Sequence, residues 1–155
     1  MISLETLRRF PFFNGLDEAQ LQALAMLADE NKADAKELIF EEGSAANKFY
    51  FLVSGNVDLY IKSEEENDPG SRRDYAVGEV NPGEVLGISA LLEPFVYRVT
   101  ARTAQASHWI EFDAVGLRAV SQVDQRLAYQ LTLQVAIALM ERLQSTRVQL
   151  AAAWG

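Results

Sequence analysis

The chain of 155 residues contains no cysteine and a single histidine, His108. Without thiols there is no disulfide, no thiolate nucleophile and no zinc–thiolate site. One imidazole cannot build a multi-histidine metal centre, so the metal triad of cupin-like β-barrel enzymes is missing as well. Positive charge is scarce: 14 Lys and Arg stand against 22 Asp and Glu, for a net charge of −8. A nucleic-acid-binding face needs basic clusters that displace counterions from phosphate, and this balance argues against one. Long apolar runs are lacking too. The longest, Val135 to Met140, falls far short of a membrane span. The opening "MISLETLRRF" has no basic segment leading into the apolar core of a signal peptide. No nucleophile–base pairing is apparent. These absences point to a non-catalytic protein of a reducing, cytoplasmic compartment, with neither a membrane nor DNA as a partner of this chain alone.

What is present suits one folded domain: 49% of the residues are hydrophobic and 23% charged, enough apolar material for a real core. Three regions differ in period. In residues 1–29, Leu4, Leu7, Phe10 and then Leu16, Leu21, Leu24 and Leu27 recur at helical spacing, punctuated by Pro11 and Gly15. Asp17 is placed to cap the second helix. Residues 30–113 read as short strands. "ELIFEEGS" runs into a turn, "KFYFLVSGNVDLYIK" is two strands broken at Ser54-Gly55, and "YAVGEVNPGEVLG", "FVYRVTARTA" and "ASHWIEFD" follow. "SEEENDPGSRRD", with its charge run Glu64–Asp68, reads as a solvated hairpin tip. Strands about ten residues apart favour an antiparallel β-roll or jelly roll over an α/β sheet. Residues 114–150 return to helical spacing, as a short helix and a long one over 123–150. The fold class is therefore mainly β with flanking helices (α+β).

The long helix is apolar on two sides. Leu127, Leu131, Val135, Leu139 and Leu143 form one stripe; Leu133, Ile137 and Met140 form another. A helix packed on one surface needs one stripe. The second predicts a homodimer through the identical helix of another copy, with burial inside a single domain as the alternative.

Residues 82–91, "PGEVLGISAL", carry the most specific signal. Pro82-Gly83 marks a turn, and Gly87 stands where the strand-like Val85-Leu86 gives way to a helical turn. A glycine there admits a close neighbour, either a ligand or another stretch of backbone. The stretch is a ligand cradle or a tight corner.

Three glycine motifs in order give the chain a family resemblance. "FEEGSAANKFYFLVSGNVDLY" resembles the part of cyclic nucleotide-binding domains where a Glu-Gly turn leads to a strand ending in Ser-Gly-x-Val. "VGEVNPGEVLG" resembles the entry to that family's phosphate-binding cassette, and "ERLQSTRVQL" is similar to the dimer helix of Crp/Fnr regulators. The resemblance spans roughly residues 5–150. It implies a cAMP- or cGMP-like ligand, no catalytic residues, no metal and no further cofactor. It also implies a binding site drawn from Gly87, Ile88, Ser89, Ala90 and Leu91 of the cassette, Tyr97, Arg98, Val99 and Thr100 of the following strand, and Thr146 of the long helix.

Two departures stand out. Nucleotide-binding members follow the cassette glycine with a glutamate that accepts a hydrogen bond from the ribose 2′-hydroxyl, and here that position is Ile88. An unanswered buried hydroxyl costs about 1–3 kcal/mol. The family's phosphate-pairing arginine falls on Tyr97, with Arg98 one residue later. Ser89 offers a hydroxyl to a phosphate or caps its turn. Arg98 and Arg102 share strand parity, which suits an anion site or two solvated arginines. His108 reads as an edge residue, and Trp154 as a loose terminus or a partner anchor. The chain ends shortly after the long helix, so a helix-turn-helix reading head is not expected. Two functions remain in view: a ligand-sensing module signalling through its C-terminal helix, and a dimeric scaffold with a degenerate pocket that regulates an unknown protein partner.

Overall fold

A computed structural model of the chain describes residues 1–63 and 73–155, so most of the polar hairpin tip expected at 63–74, Glu64–Asp68 included, lies outside the described residues. Two four-stranded antiparallel sheets close into a roll, flanked by helices at both ends of the chain. The strands are β1 (Ala28–Ala33), β2 (Leu38–Phe40), β3 (Lys48–Ser54), β4 (Val57–Ser63), β5 (Arg73–Val80), β6 (Val85–Leu86), β7 (Thr100–Thr103) and β8 (Ser107–Asp113). One sheet runs β1-β8-β3-β6 and the other β2-β7-β4-β5.

The N-terminal helices form for local reasons. In α1 (Leu4–Arg8) the Ser3 side chain accepts from the Thr6 amide. In α2 (Glu18–Met26) Asp17 and Gln20 make a reciprocal capping box, with bonds of 2.8 and 3.0 Å, which satisfies two otherwise orphaned amides. Between them the 3₁₀ turn Pro11–Phe13 presents Phe12 and Phe13 to the roll. Their rings meet Phe49, Phe51 and Phe112 at centroid distances of 5.4–6.4 Å. This aromatic cluster joins the helices to the β1-β8-β3-β6 sheet.

Two expectations need correction here. The roll begins at Ala28, because "ADENKA" is a strand paired with β8 from Ala28↔Phe112 to Ala33↔Ser107. It is an edge strand, and of its residues only Ala28 is buried. His108 is no edge residue: β8 lies between β1 and β3, and the imidazole Nε2 sits 3.7 Å from Glu30 Oε2.

The C-terminal helices are α3 (Ala114–Val123) and α4 (Gln125–Trp154). Asp124 caps α4 by accepting from the Leu127 amide at 3.0 Å. The helix runs past residue 150 to Trp154. The apolar stripe expected to lie on the roll does so only in its first half. Leu127, Leu131 and Val135 are buried, whereas Leu139 and Leu143 are 42% and 50% exposed. Leu133, Ile137 and Met140 are exposed as well, and so is every residue from Leu143 to the end. Burial of the whole helix inside one domain is thereby excluded. No helix among the described residues is long and apolar enough to cross a membrane.

Candidate functional site

A cavity of about 290 Å³ lies between the β2-β7-β4-β5 sheet, the turn Ile88–Leu91 and α4. Its floor is hydrocarbon and aromatic: Phe40 from β2, Leu59 from β4, Val77 from β5 and Leu86 from β6. Gly87, Ile88 and Ser89 form one wall, and Tyr97, Arg98 and Val99 the next. Leu139 and Arg142 close it from α4.

Gly87 answers the alternative raised by its position. It has φ of +73° and opens the turn. A Cβ there would fall 2.9 Å from Tyr50 Cδ2 and 3.1 Å from the Lys48 carbonyl oxygen. The glycine thus admits the backbone and ring of β3 behind the turn. Next to it, Ile88 lines the cavity, at the position where the family resemblance implies a ribose-reading glutamate. Ser89 also lines the cavity, and the turn has no side-chain cap bond at its start, Gly87.

Tyr97 is part of the wall's frame. Its ring stacks on Phe40 with centroids 4.0 Å apart, and Phe40 stacks in turn on Tyr50 at 5.5 Å. The Tyr97 hydroxyl donates to the Lys48 carbonyl at 2.6 Å and accepts from the Lys48 amide at 3.2 Å. Burial raises the phenol pKa of both Tyr97 and Tyr50, so both are neutral donors at physiological pH. Arg98, by contrast, is exposed at the cavity mouth. Arg102 does not share its site. Arg98 precedes β7, where strand parity does not apply, while Arg102 faces Asp58 across the β4–β7 ladder.

Four other residues expected in the site lie elsewhere. Ala90 is fully buried, and its carbonyl accepts from Arg118 Nη1 at 2.6 Å. Leu91 lines a separate recess with Arg118, Ser121 and Leu131. The buried Thr100 hydroxyl accepts from the Glu42 amide at 3.0 Å. Thr146 is exposed, and its hydroxyl donates to the carbonyl of Arg142 on its own helix at 2.9 Å.

Arg142 is the residue that sequence reasoning missed. Its Nη2 donates to the Val85 carbonyl at 2.5 Å, and its Nε is buried without a partner among the described residues. Burial holds the guanidinium below its usual pKa, opposed by the nearby Glu84 carboxylate, and arginine stays charged through such shifts. The sequence carried only a partial signal: Arg142 lies one helical turn before Thr146 and three residues after Leu139, which gives its face of α4 but not whether that turn still meets the roll. A second arginine braces the site from outside. Arg118 of α3 holds the Ala90 carbonyl and lies 3.9 Å over the Phe95 ring, which ties the turn to the C-terminal helices.

The model of the cyclic nucleotide-binding domain matches residues 30–124, the stretch that builds the roll, the turn and α3. The chain belongs to that family. Among solved structures, a putative cyclic nucleotide-binding protein from Geobacter metallireducens is 31% identical, with a TM-score of 0.80 over 92% of this chain and 99% of that one. The Thermus thermophilus catabolite activator protein superposes with a TM-score of 0.65 over 92% of this chain and 62% of its own, a likeness of fold at 18% identity. Protein CNGC15b of Medicago truncatula is 27% identical over 116 residues, which are 71% of this chain and 18% of that protein. The chain thus spans under a fifth of that relative's length.

Proposed function

We propose that the chain is a non-catalytic sensor module: a small anionic ligand of the cyclic-nucleotide type enters the cavity beside Gly87, and its occupancy is passed on through α4. One observation carries this reading. Two cationic side chains, Arg98 from the roll and Arg142 from α4, line one cavity beside the turn that resembles the family's phosphate-binding cassette. The guanidinium fork suits phosphate and carboxylate geometry. Because Arg142 belongs to the helix, its grip differs between a seated and a displaced α4, which is what a population shift requires.

We infer further that two copies pair along the outer face of α4. Leu133, Ile137 and Met140 are 39%, 43% and 72% exposed, and the helix beyond Arg142 has only exposed residues. Isolated helices shorter than about 12–15 residues are marginal in water, so a partner helix would stabilise that segment. Ile88 and the internally bonded Tyr97 favour the second reading, a dimeric scaffold with an empty pocket that works on another protein.

Thermal unfolding with and without millimolar cAMP, cGMP, cyclic dinucleotides and simple organic anions separates the two. Ligand at about 100 times its dissociation constant adds about 2.7 kcal/mol, a shift of several degrees for a domain of this size. A midpoint unmoved by every anion would refute the sensor reading and leave the scaffold.

A further inference from the structure

We propose that the cavity selects an amphipathic organic anion: one carboxylate or phosphate group on a compact apolar body without sugar hydroxyls. The inference rests on the reading that this cavity is a ligand site, and it names the class of ligand. The floor and helix side offer hydrocarbon from Leu59, Val77, Ile88, Val99 and Leu139. At Ile88 in particular, a ribose hydroxyl would leave water and meet a side chain that cannot accept its proton. An aliphatic chain or a benzene ring loses nothing on the same wall and gains by leaving water.

The polar groups are few and of one sign. Among the described residues lining the cavity, the side-chain polar groups are the Ser89 hydroxyl, the Tyr97 phenol and the guanidinia of Arg98 and Arg142; no carboxylate lines it. The Tyr97 hydroxyl is taken by Lys48. Arg142 is the under-satisfied group: it makes one bond to a carbonyl and keeps a buried Nε without a partner. An anion held by the two arginines would meet one positive group from the roll and one from α4 while its body lies on hydrocarbon. A volume of about 290 Å³ is at the small end of ligand pockets, which run from about 300 to 1,000 Å³, and it fits a single-ring or short-chain body.

The test measures binding by calorimetry and thermal shift. The probes are phenylacetate, octanoate and phenyl phosphate, with neutral phenylacetamide, inorganic phosphate, cAMP and cGMP as comparisons. Expected are binding of the apolar anions and at least about tenfold weaker binding of phenylacetamide, inorganic phosphate and both nucleotides; phenylacetate against phenyl phosphate then ranks the two head groups. Arg142→Gln should weaken the best anion at least about tenfold with the circular dichroism spectrum unchanged. Arg98→Ala provides a second test at an exposed position. Ile88→Glu should reverse the preference, losing the apolar anions and gaining cAMP. Binding of cAMP or cGMP without the apolar anions would overturn this proposal and leave the sensor reading standing. Equal binding of phenylacetamide and phenylacetate would overturn the role of the arginines. Silence with all seven compounds would overturn this proposal, and silence with the cyclic dinucleotides as well would overturn the sensor reading.

Discussion

Replacing Gly87 by alanine tests whether the cavity wall depends on close approach to β3 or merely on a flexible corner. Two costs act at this position. The left-handed conformation at φ +73° disfavours a side chain by about 1–2 kcal/mol. The added methyl would also meet Tyr50 Cδ2 at 2.9 Å and the Lys48 carbonyl at 3.1 Å. Neither neighbour yields easily. Tyr50 is stacked on Phe40, Phe40 on Tyr97, and Tyr97 is bonded to Lys48 on both its backbone groups. Overpacking of this kind costs about 1–3 kcal/mol, so the sum is about 2–5 kcal/mol. At about 2–4 °C per kcal/mol for a chain of this length, Tm should fall by about 4–20 °C. Gly83→Ala supplies the control. Gly83 has φ of +88°, and a methyl added there would meet nothing within 4 Å, so it bears the backbone cost alone. Equal falls in Tm for the two variants would refute the packing argument and reduce Gly87 to an ordinary turn residue.

Other outcomes follow from the same contacts. Thr103→Val removes a buried hydroxyl that accepts from the Glu37 amide at 2.9 Å and donates to the Asp34 carbonyl at 2.5 Å; chemical denaturation should show a loss of about 1–3 kcal/mol, and a loss within error would show that water replaces both bonds. Burial raises the Glu111 pKa despite Lys48 at 3.8 Å. The native state therefore holds this proton more tightly than the unfolded chain does. The stability from that proton is full below the unfolded value of about 4.3 and fades as pH rises through the raised native one. Glu111→Gln should accordingly gain on the wild type between pH 4 and pH 7 in thermal melts, and a constant gap would contradict the assignment. The double change Ile137→Glu with Met140→Glu, at two exposed positions of α4, should convert a dimer to a monomer in light scattering; an unchanged mass would place any interface elsewhere.

The fold was legible where composition and local chemistry agree. The cap of α2 could be read from Asp17, and the β3–β4 hairpin from two apolar runs broken at Ser54-Gly55. That glycine has φ of +89°, and a Cβ there would fall 2.5 Å from the Ala106 carbonyl oxygen. β1 was hidden because its order comes from its partner. Asp29, Glu30, Asn31 and Lys32 have no strand signature, yet they hold register with β8, and their charges are what keeps an edge strand from pairing with another chain. At the site, the glycine framework and Ile88 could be read directly. Arg142 could not, because period alone places a helix residue on a face without saying how far along the helix contact with the roll extends. Thr146 lies one turn too far along α4, where that contact has ended.

The helix leaves the roll at the cavity, and this has a mechanical consequence. From Leu143 to Trp154 every residue is exposed, and the segment extends about 18 Å at 1.5 Å per residue, with Leu139 and Arg142 at its base. A tilt of about 10° there sweeps the Trp154 end through about 3 Å, by the same geometry. On the sensor reading proposed above, a ligand that displaces Leu139 and Arg142 would rotate this arm about its base, and the Trp154 end would carry the largest part of that movement.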